Sequence, residues 1–231
     1  MKSILPQMKH KPKYIFLENV KNFETSQSHE LLITTLCSLG YVFKEYLLSP
    51  TQIQIPNERL RYYLCAQHIS SSPIDLSTVK PIVAQFPCTP THPVRNCISQ
   101  YLMESANNQE DLQVPHHVLI KNKGYRYDII EPSSTYSSCI TKGYGTLSHV
   151  KGTGPLLTLK AHEKIIDWND ANTLIPLHLR LLHPDEISQI LGFPVGFKFP
   201  EHLSTVQCHK LLGNSLNVTV VYLLMTSTFS Q

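Results

Sequence analysis

The sequence predicts an α/β fold, and three observations carry that prediction. Tyr14-Ile15-Phe16-Leu17 is a short unbroken apolar run of strand length. Residues 28–39 carry apolar side chains at Leu31, Leu32 and Leu36, with Gly40 immediately beyond, which is a helix with a glycine stop. Tyr41 to Leu48 and Arg61 to Ala66 are two further strand candidates, separated by a turn around Pro56-Asn57. Strand, helix, strand, strand is an α/β order, and the continuous apolar run at Tyr14 predicts a buried parallel strand.

Between about Ser70 and Thr173 the chain turns rich in Pro, Ser, Thr and Asn, with few periodic segments. This predicts a small irregular second domain. Gln100 to Ser105 reads as one or two helical turns. Val118-Leu119-Ile120 and Tyr127 to Ile130 read as short strands. Regularity returns after Leu177. His183-Pro184-Asp185-Glu186 opens a helix with proline at its first position and acids in its first turn, and Gly192 closes it. Val218 to Met225 is a strongly apolar helix, expected to be opened by Gly213-Asn214-Ser215. The boundaries are placed at 1–75, 76–175 and 176–231, with the first and last segments forming one domain.

Composition narrows the function classes. The chain has 231 residues, 42% hydrophobic and 16% charged, with a formal net charge of +3. That is enough for a sizeable core, and only mildly basic. Lys2, Lys9, Lys11, Lys13 and Lys21 cluster near the start and read as a solvated basic face. The six cysteines form no CxxC pair. Cys37 and Cys65 lie inside apolar runs, where a free thiol behaves as a small hydrophobe. Cysteine usage predicts a reducing compartment, cytoplasm or nucleus. No apolar run approaches the ~20 residues that span a bilayer, so no membrane partner is expected. The 12 histidines show no zinc spacing, and His116-His117 read as surface imidazoles, so no metal is expected.

Four motifs, in order, resemble the cytosine-C5 methyltransferase family. Glu18-Asn19-Val20 stands at the end of a strand. Asn57-Glu58-Arg59-Leu60-Arg61 is similar to the family's Gln-x-Arg-x-Arg. Glu186 to Pro194 and Leu212-Gly213-Asn214-Ser215 resemble its last two motifs. Cys139-Ile140-Thr141-Lys142-Gly143-Tyr144-Gly145 resembles the Cys-Phe-Thr signature of the tRNA-methylating branch, with Ile140 in place of Phe.

The resemblance implies a partial Rossmann-like methyltransferase domain with a small, irregular inserted target-recognition domain. It implies transfer of a methyl group from S-adenosylmethionine to cytosine C5, in a tRNA anticodon loop. C5 becomes nucleophilic only after a cysteine thiolate adds to C6. Charge then builds on the ring, and an acid at N3 can donate a proton there. By resemblance Glu18 has that role. Arg61 holds the base through its fork of donors, and Arg59 supports it. The target base must leave its stack to be reached. Asn214 and Ser215 border the cofactor, and Cys139, Thr141 and Lys142 belong to substrate recognition.

The family places a glycine-rich cofactor turn and a Pro-Cys-Gln nucleophile ahead of Glu-Asn-Val. The 17 residues before Glu18 contain neither glycine nor cysteine. Pro87-Cys88 follows Glu18 and lacks the glutamine, and Gly152-Thr153-Gly154 follows no convincing strand. An N-terminally truncated chain, inactive alone, is therefore expected. Two other readings share the motifs: a DNA cytosine-C5 methyltransferase, and a non-catalytic RNA-binding or regulatory fragment.

Overall fold

The computed structural model describes residues 4–69, 72–87, 96–146, 151–160 and 166–229. Lys2 and Cys88 lie outside them. The chain divides into two compact units. One unites Met1–Gln52, Leu60–Pro90 and Val220–Gln231, the other Ile53–Arg59 and Thr91–Thr219. These divisions fall at other places than the sequence boundaries, because residues 176–219 pack with the irregular middle segment.

The first unit is built on a three-stranded sheet in the order β1 (Tyr14–Val20), β3 (Arg61–His68), β2 (Tyr41–Leu48). β3 runs antiparallel to both neighbours. The parallel pairing expected for β1 is therefore corrected: a continuous apolar run reports burial, and strand direction is fixed by what pairs with it. Helix α1 (Gln27–Ser38) covers one face, burying Leu32, Ile33, Leu36 and Cys37 against Tyr62, Leu64 and Ala66. Its start is set by Ser26, whose side chain accepts from the His29 N–H at 3.2 Å. Its stop is Gly40, at φ 78°, where a side chain would be strained. Two lysines of the first segment make local contacts. Lys11 Nζ donates to the Met8 carbonyl at 2.6 Å, and Lys13 Nζ lies 5.1 Å from the Tyr14 ring centre.

The second unit contains few long elements. They are α2 (His116–Lys121), the two-residue strands β4 (Ile129–Ile130) and β5 (Leu156–Leu157), α3 (Pro184–Ile190) and α4 (Thr205–Gly213). Val118 to Ile120, expected as a strand, is the body of α2. Val118 and Leu119 are both buried while Ile120 is exposed, a pattern that two-fold alternation does not produce. Only Ile129 and Ile130 of the predicted 127–130 strand pair, in parallel with β5. The helical turns around Gln100 are 3-10 turns at Ile98–Tyr101 and Glu104–Ala106.

The acid expected in the first turn of α3 does more than complement the helix dipole. Glu186 is fully buried and clasped by Arg180 through two contacts of 2.8 Å. Glu186 also accepts from the backbone N–H groups of Met103 at 2.9 Å and His183 at 2.7 Å. These contacts supply the Glu186 carboxylate with donors, which offsets part of the cost of burying its charge.

Helix α5 (Val218–Phe229) extends the apolar helix predicted at 218–225. It does not begin at Gly213-Asn214-Ser215. Those residues end α4, with Asn214 as its C-cap. The missed start signal was Ser204-Thr205-Val206-Gln207, a capping box in which Ser204 Oγ accepts from the Gln207 N–H and Gln207 Oε1 from the Ser204 N–H. No described helix is long and apolar enough to cross a membrane.

Candidate functional site

Glu18 and Arg61 meet in the first unit. Alternation along β1 turns Ile15 and Leu17 towards α1 and Phe16 and Glu18 to the opposite face. On β3, Arg61 and Tyr63 share that second face. Pairing of Val20 with Arg61 and Glu18 with Tyr63 makes Glu18 and Arg61 diagonal neighbours. Arg61 Nε lies 3.4 Å from Glu18 Oε1, with side chains 19% and 24% exposed. A carboxyl group and a guanidinium are thus presented side by side with solvent access. Arg61 Nη1 also donates to the Leu60 carbonyl at 2.9 Å.

Arg59 belongs to the second unit and has a different role. It is only 4% exposed. Its guanidinium donates to the Ile140 carbonyl at 3.2 Å, to Cys139 Sγ at 3.5 Å, and in a short contact to the Ser215 carbonyl. One side chain therefore ties together three segments that are far apart in sequence. Asn57 adds a second tie. It is fully buried, and its amide nitrogen donates to the Ser138 carbonyl at 2.9 Å and to Ser137 Oγ at 3.3 Å. Both arginines were singled out in the sequence, Arg61 to hold the base and Arg59 to support it. The two are only two residues apart, yet β3 starts at Arg61, so they share no strand face.

The 139–145 segment is seated by glycines. A Cβ on Gly213 would lie 2.1 Å from the Thr141 carbonyl oxygen and 2.5 Å from the Lys142 nitrogen. Only glycine lets the end of α4 approach that backbone. A Cβ on Gly145, at φ 84°, would lie 2.2 Å from His209 Nδ1. His209 is buried, and burial pushes its pKa down to about 4. Its Nε2 contacts the Leu182 carbonyl at 2.8 Å, and its ring meets Tyr144 edge-on at 5.0 Å. The Tyr144 hydroxyl accepts from the Leu182 N–H and donates to the Pro155 carbonyl, both at 2.8 Å. His209 went unnoticed in the sequence, because a lone histidine in a helix carries no spacing signal.

The match to known proteins decides the assignment. The C-5 cytosine-specific DNA methylase family matches residues 7–230. The chain belongs to the cytosine-C5 methyltransferase family. Among its relatives is the human tRNA (cytosine(38)-C(5))-methyltransferase, 33% identical over 94% of this chain and 71% of that protein. A Dictyostelium discoideum DNA (cytosine-5)-methyltransferase is 34% identical over 94% of this chain and 66% of its own length. The crystal structure of the Schizosaccharomyces pombe Dnmt2 methyltransferase superposes with a TM-score of 0.83 at 30% identity. It covers 99% of this chain and 70% of that one.

In this methyltransferase chain the described cysteines other than Cys97 and Cys139 are buried. Burial raises the thiols of Cys37 and Cys208, and pushes Cys65 up to about 11. Such thiols are poor sources of thiolate. Cys97 Sγ shares a 3.1 Å contact with Ser99 Oγ, and Cys139 contacts Arg59. Asn214 is exposed and Ser215 half-buried at the end of α4. Among the described residues no group of three His, Cys, Asp or Glu is placed to hold a metal ion.

Proposed function

We propose that these residues form the base-holding and recognition portion of a tRNA cytosine-C5 methyltransferase acting in the cytoplasm or nucleus. The observation that carries the reading is the Arg59 junction. It binds the Cys139–Gly145 signature of the tRNA-methylating branch to the Gly213–Ser215 motif, in a chain whose relatives include tRNA cytosine methyltransferases.

In this reading Arg61 donates to O2 of a flipped cytosine and Glu18 offers its carboxyl group to N3. Charge arising on the ring is then met by fixed donors instead of reorganising water. Arg59 touches no base: it is a positioning residue that fixes the recognition segment, with Cys139, Thr141 and Lys142 directed to the RNA. Asn214 and Ser215 offer an amide and a hydroxyl, a donor set suited to the polar groups of S-adenosylmethionine. When bound, that cofactor supplies an electrophilic methyl group. Addition to C6 requires a thiolate. None of the chain's cysteines stands in Pro-Cys-Gln, and the burial of Cys37, Cys65 and Cys208 disfavours ionisation. The 231 residues by themselves therefore hold the base without transferring a methyl group.

The test combines filter retention of tRNA with tritium transfer from labelled S-adenosylmethionine, using the purified chain. Retention without transfer is expected. Loss of retention would overturn the RNA reading, and transfer above background would overturn the division of labour.

A further inference from the structure

A cleft of about 290 Å³ opens in the second unit, behind Cys139, and its walls include Tyr125, Asp128, Ser138, Thr141 and Gly152. Tyr125 is its half-exposed wall, while Tyr127 is buried and meets the Tyr125 ring at 4.9 Å and 75°. Edge-on packing of this kind fixes the orientation of the outer ring. Lys151 Nζ sits over the Tyr125 ring, 5.4 Å from its centre, and the exposed Arg126 lines the same cleft. Gly152, at φ 65°, keeps the rim low: a Cβ there would come within 3.4 Å of the Tyr125 hydroxyl. Asp128 accepts from the Ser138 N–H at 2.6 Å, which fixes a carboxylate in the cleft wall. Cys139, the next residue, is the one that the Arg59 guanidinium contacts.

We propose that this cleft binds an unpaired nucleobase of the RNA, with Tyr125 as its stacking surface. The inference rests on the tRNA reading above and adds a second base-binding position to it. A fixed aromatic ring with mobile, exposed cations close by is the combination that holds single-stranded nucleic acid. The ring takes the base face, and the cations meet the backbone phosphate. Lys151 and Arg126 supply that charge. Asp128 adds a preference, since a carboxylate only accepts hydrogen bonds and so favours bases that present amino or imino donors. Duplex nucleic acid cannot use the cleft, because its base faces are covered by their neighbours.

The experiment uses a fluorescein-labelled hairpin RNA whose unpaired loop holds one cytosine and several 2-aminopurines, a fluorescent base with an amino donor. The intact chain is titrated while 2-aminopurine emission and fluorescein anisotropy are followed. Quenching on binding is expected. Tyr125→Leu should abolish the quenching and weaken binding about tenfold, while Tyr125→Phe keeps both. Lys151→Ala should lower the salt dependence of binding. If Tyr125→Leu does not fold, Tyr125→Trp decides, because its added indole emission must respond to the RNA. Wild-type quenching and affinity in Tyr125→Leu, or a silent indole in Tyr125→Trp, would overturn the proposal. Failure of the wild-type chain to bind the hairpin would remove the tRNA reading itself. Binding that ignores Tyr125 would remove this inference alone.

Discussion

Arg59 and the two glycines that seat the recognition segment are where single substitutions should have the largest effect. Arg59→Ala leaves the Ile140 and Ser215 carbonyls without their donor, and buried acceptors left unpaired cost about 1–3 kcal/mol. Arg59→Lys should rescue little of this, because an ammonium cannot reproduce the planar fork. Urea unfolding measures both. Gly213→Ala forces a methyl group into the Thr141 carbonyl, and Gly145→Ala forces one onto the His209 ring while straining a positive φ. Each is expected to lower stability by about 1–3 kcal/mol, read as a shift in urea midpoint with unchanged slope. Arg61→Ala offers the contrast. Its side chain is partly solvated, so stability should hold within about 0.5 kcal/mol while tRNA affinity falls.

Helix α1 illustrates how an element's boundary is set by one side chain. Ser26 Oγ accepts from the His29 N–H and donates to the Phe23 carbonyl at 2.7 Å. Ser26→Ala should cost about 1 kcal/mol, measurable by thermal melting. Helix α4 carries a pH dependence. His209 is buried in its neutral form, with its pKa pushed from 6.5 down to about 4. Unfolding returns it to water, so the unfolded chain binds the extra proton first. Its contribution is complete above about pH 6.5 and is lost as pH falls towards 4, up to about 3 kcal/mol. His209→Gln should flatten the stability profile over that window. A wild-type chain whose stability does not change there would refute the assignment.

At the scale of the whole molecule, the first unit was largely legible because its signals are local. The stop at Gly40 and the limits of Tyr41–Leu48 are written within a few residues. Strand direction was not, since nothing in Tyr14–Leu17 states which strand will pair with it. The second unit resisted for a related reason. Its order comes from long-range ties such as Asn57 to Ser138, Arg59 to Ser215 and Arg180 to Asn107, at sequence separations that no periodicity reports. Val118 to Ile120 is too short to distinguish a helix from a strand, and Pro115 as the N-cap of α2 is a weak start signal. The site motifs could be read only through a family resemblance. The structure then separated what looked like one arginine pair into a partly exposed Arg61 beside Glu18 and a buried Arg59 at a junction.

The most direct test of the account is competition between unlabelled tRNA and duplex DNA of matched length for the chain bound to labelled tRNA. The account predicts that tRNA displaces the label at concentrations where duplex DNA does not. Displacement by duplex DNA at equal or lower concentration would contradict it, and would favour a DNA cytosine methyltransferase in its place.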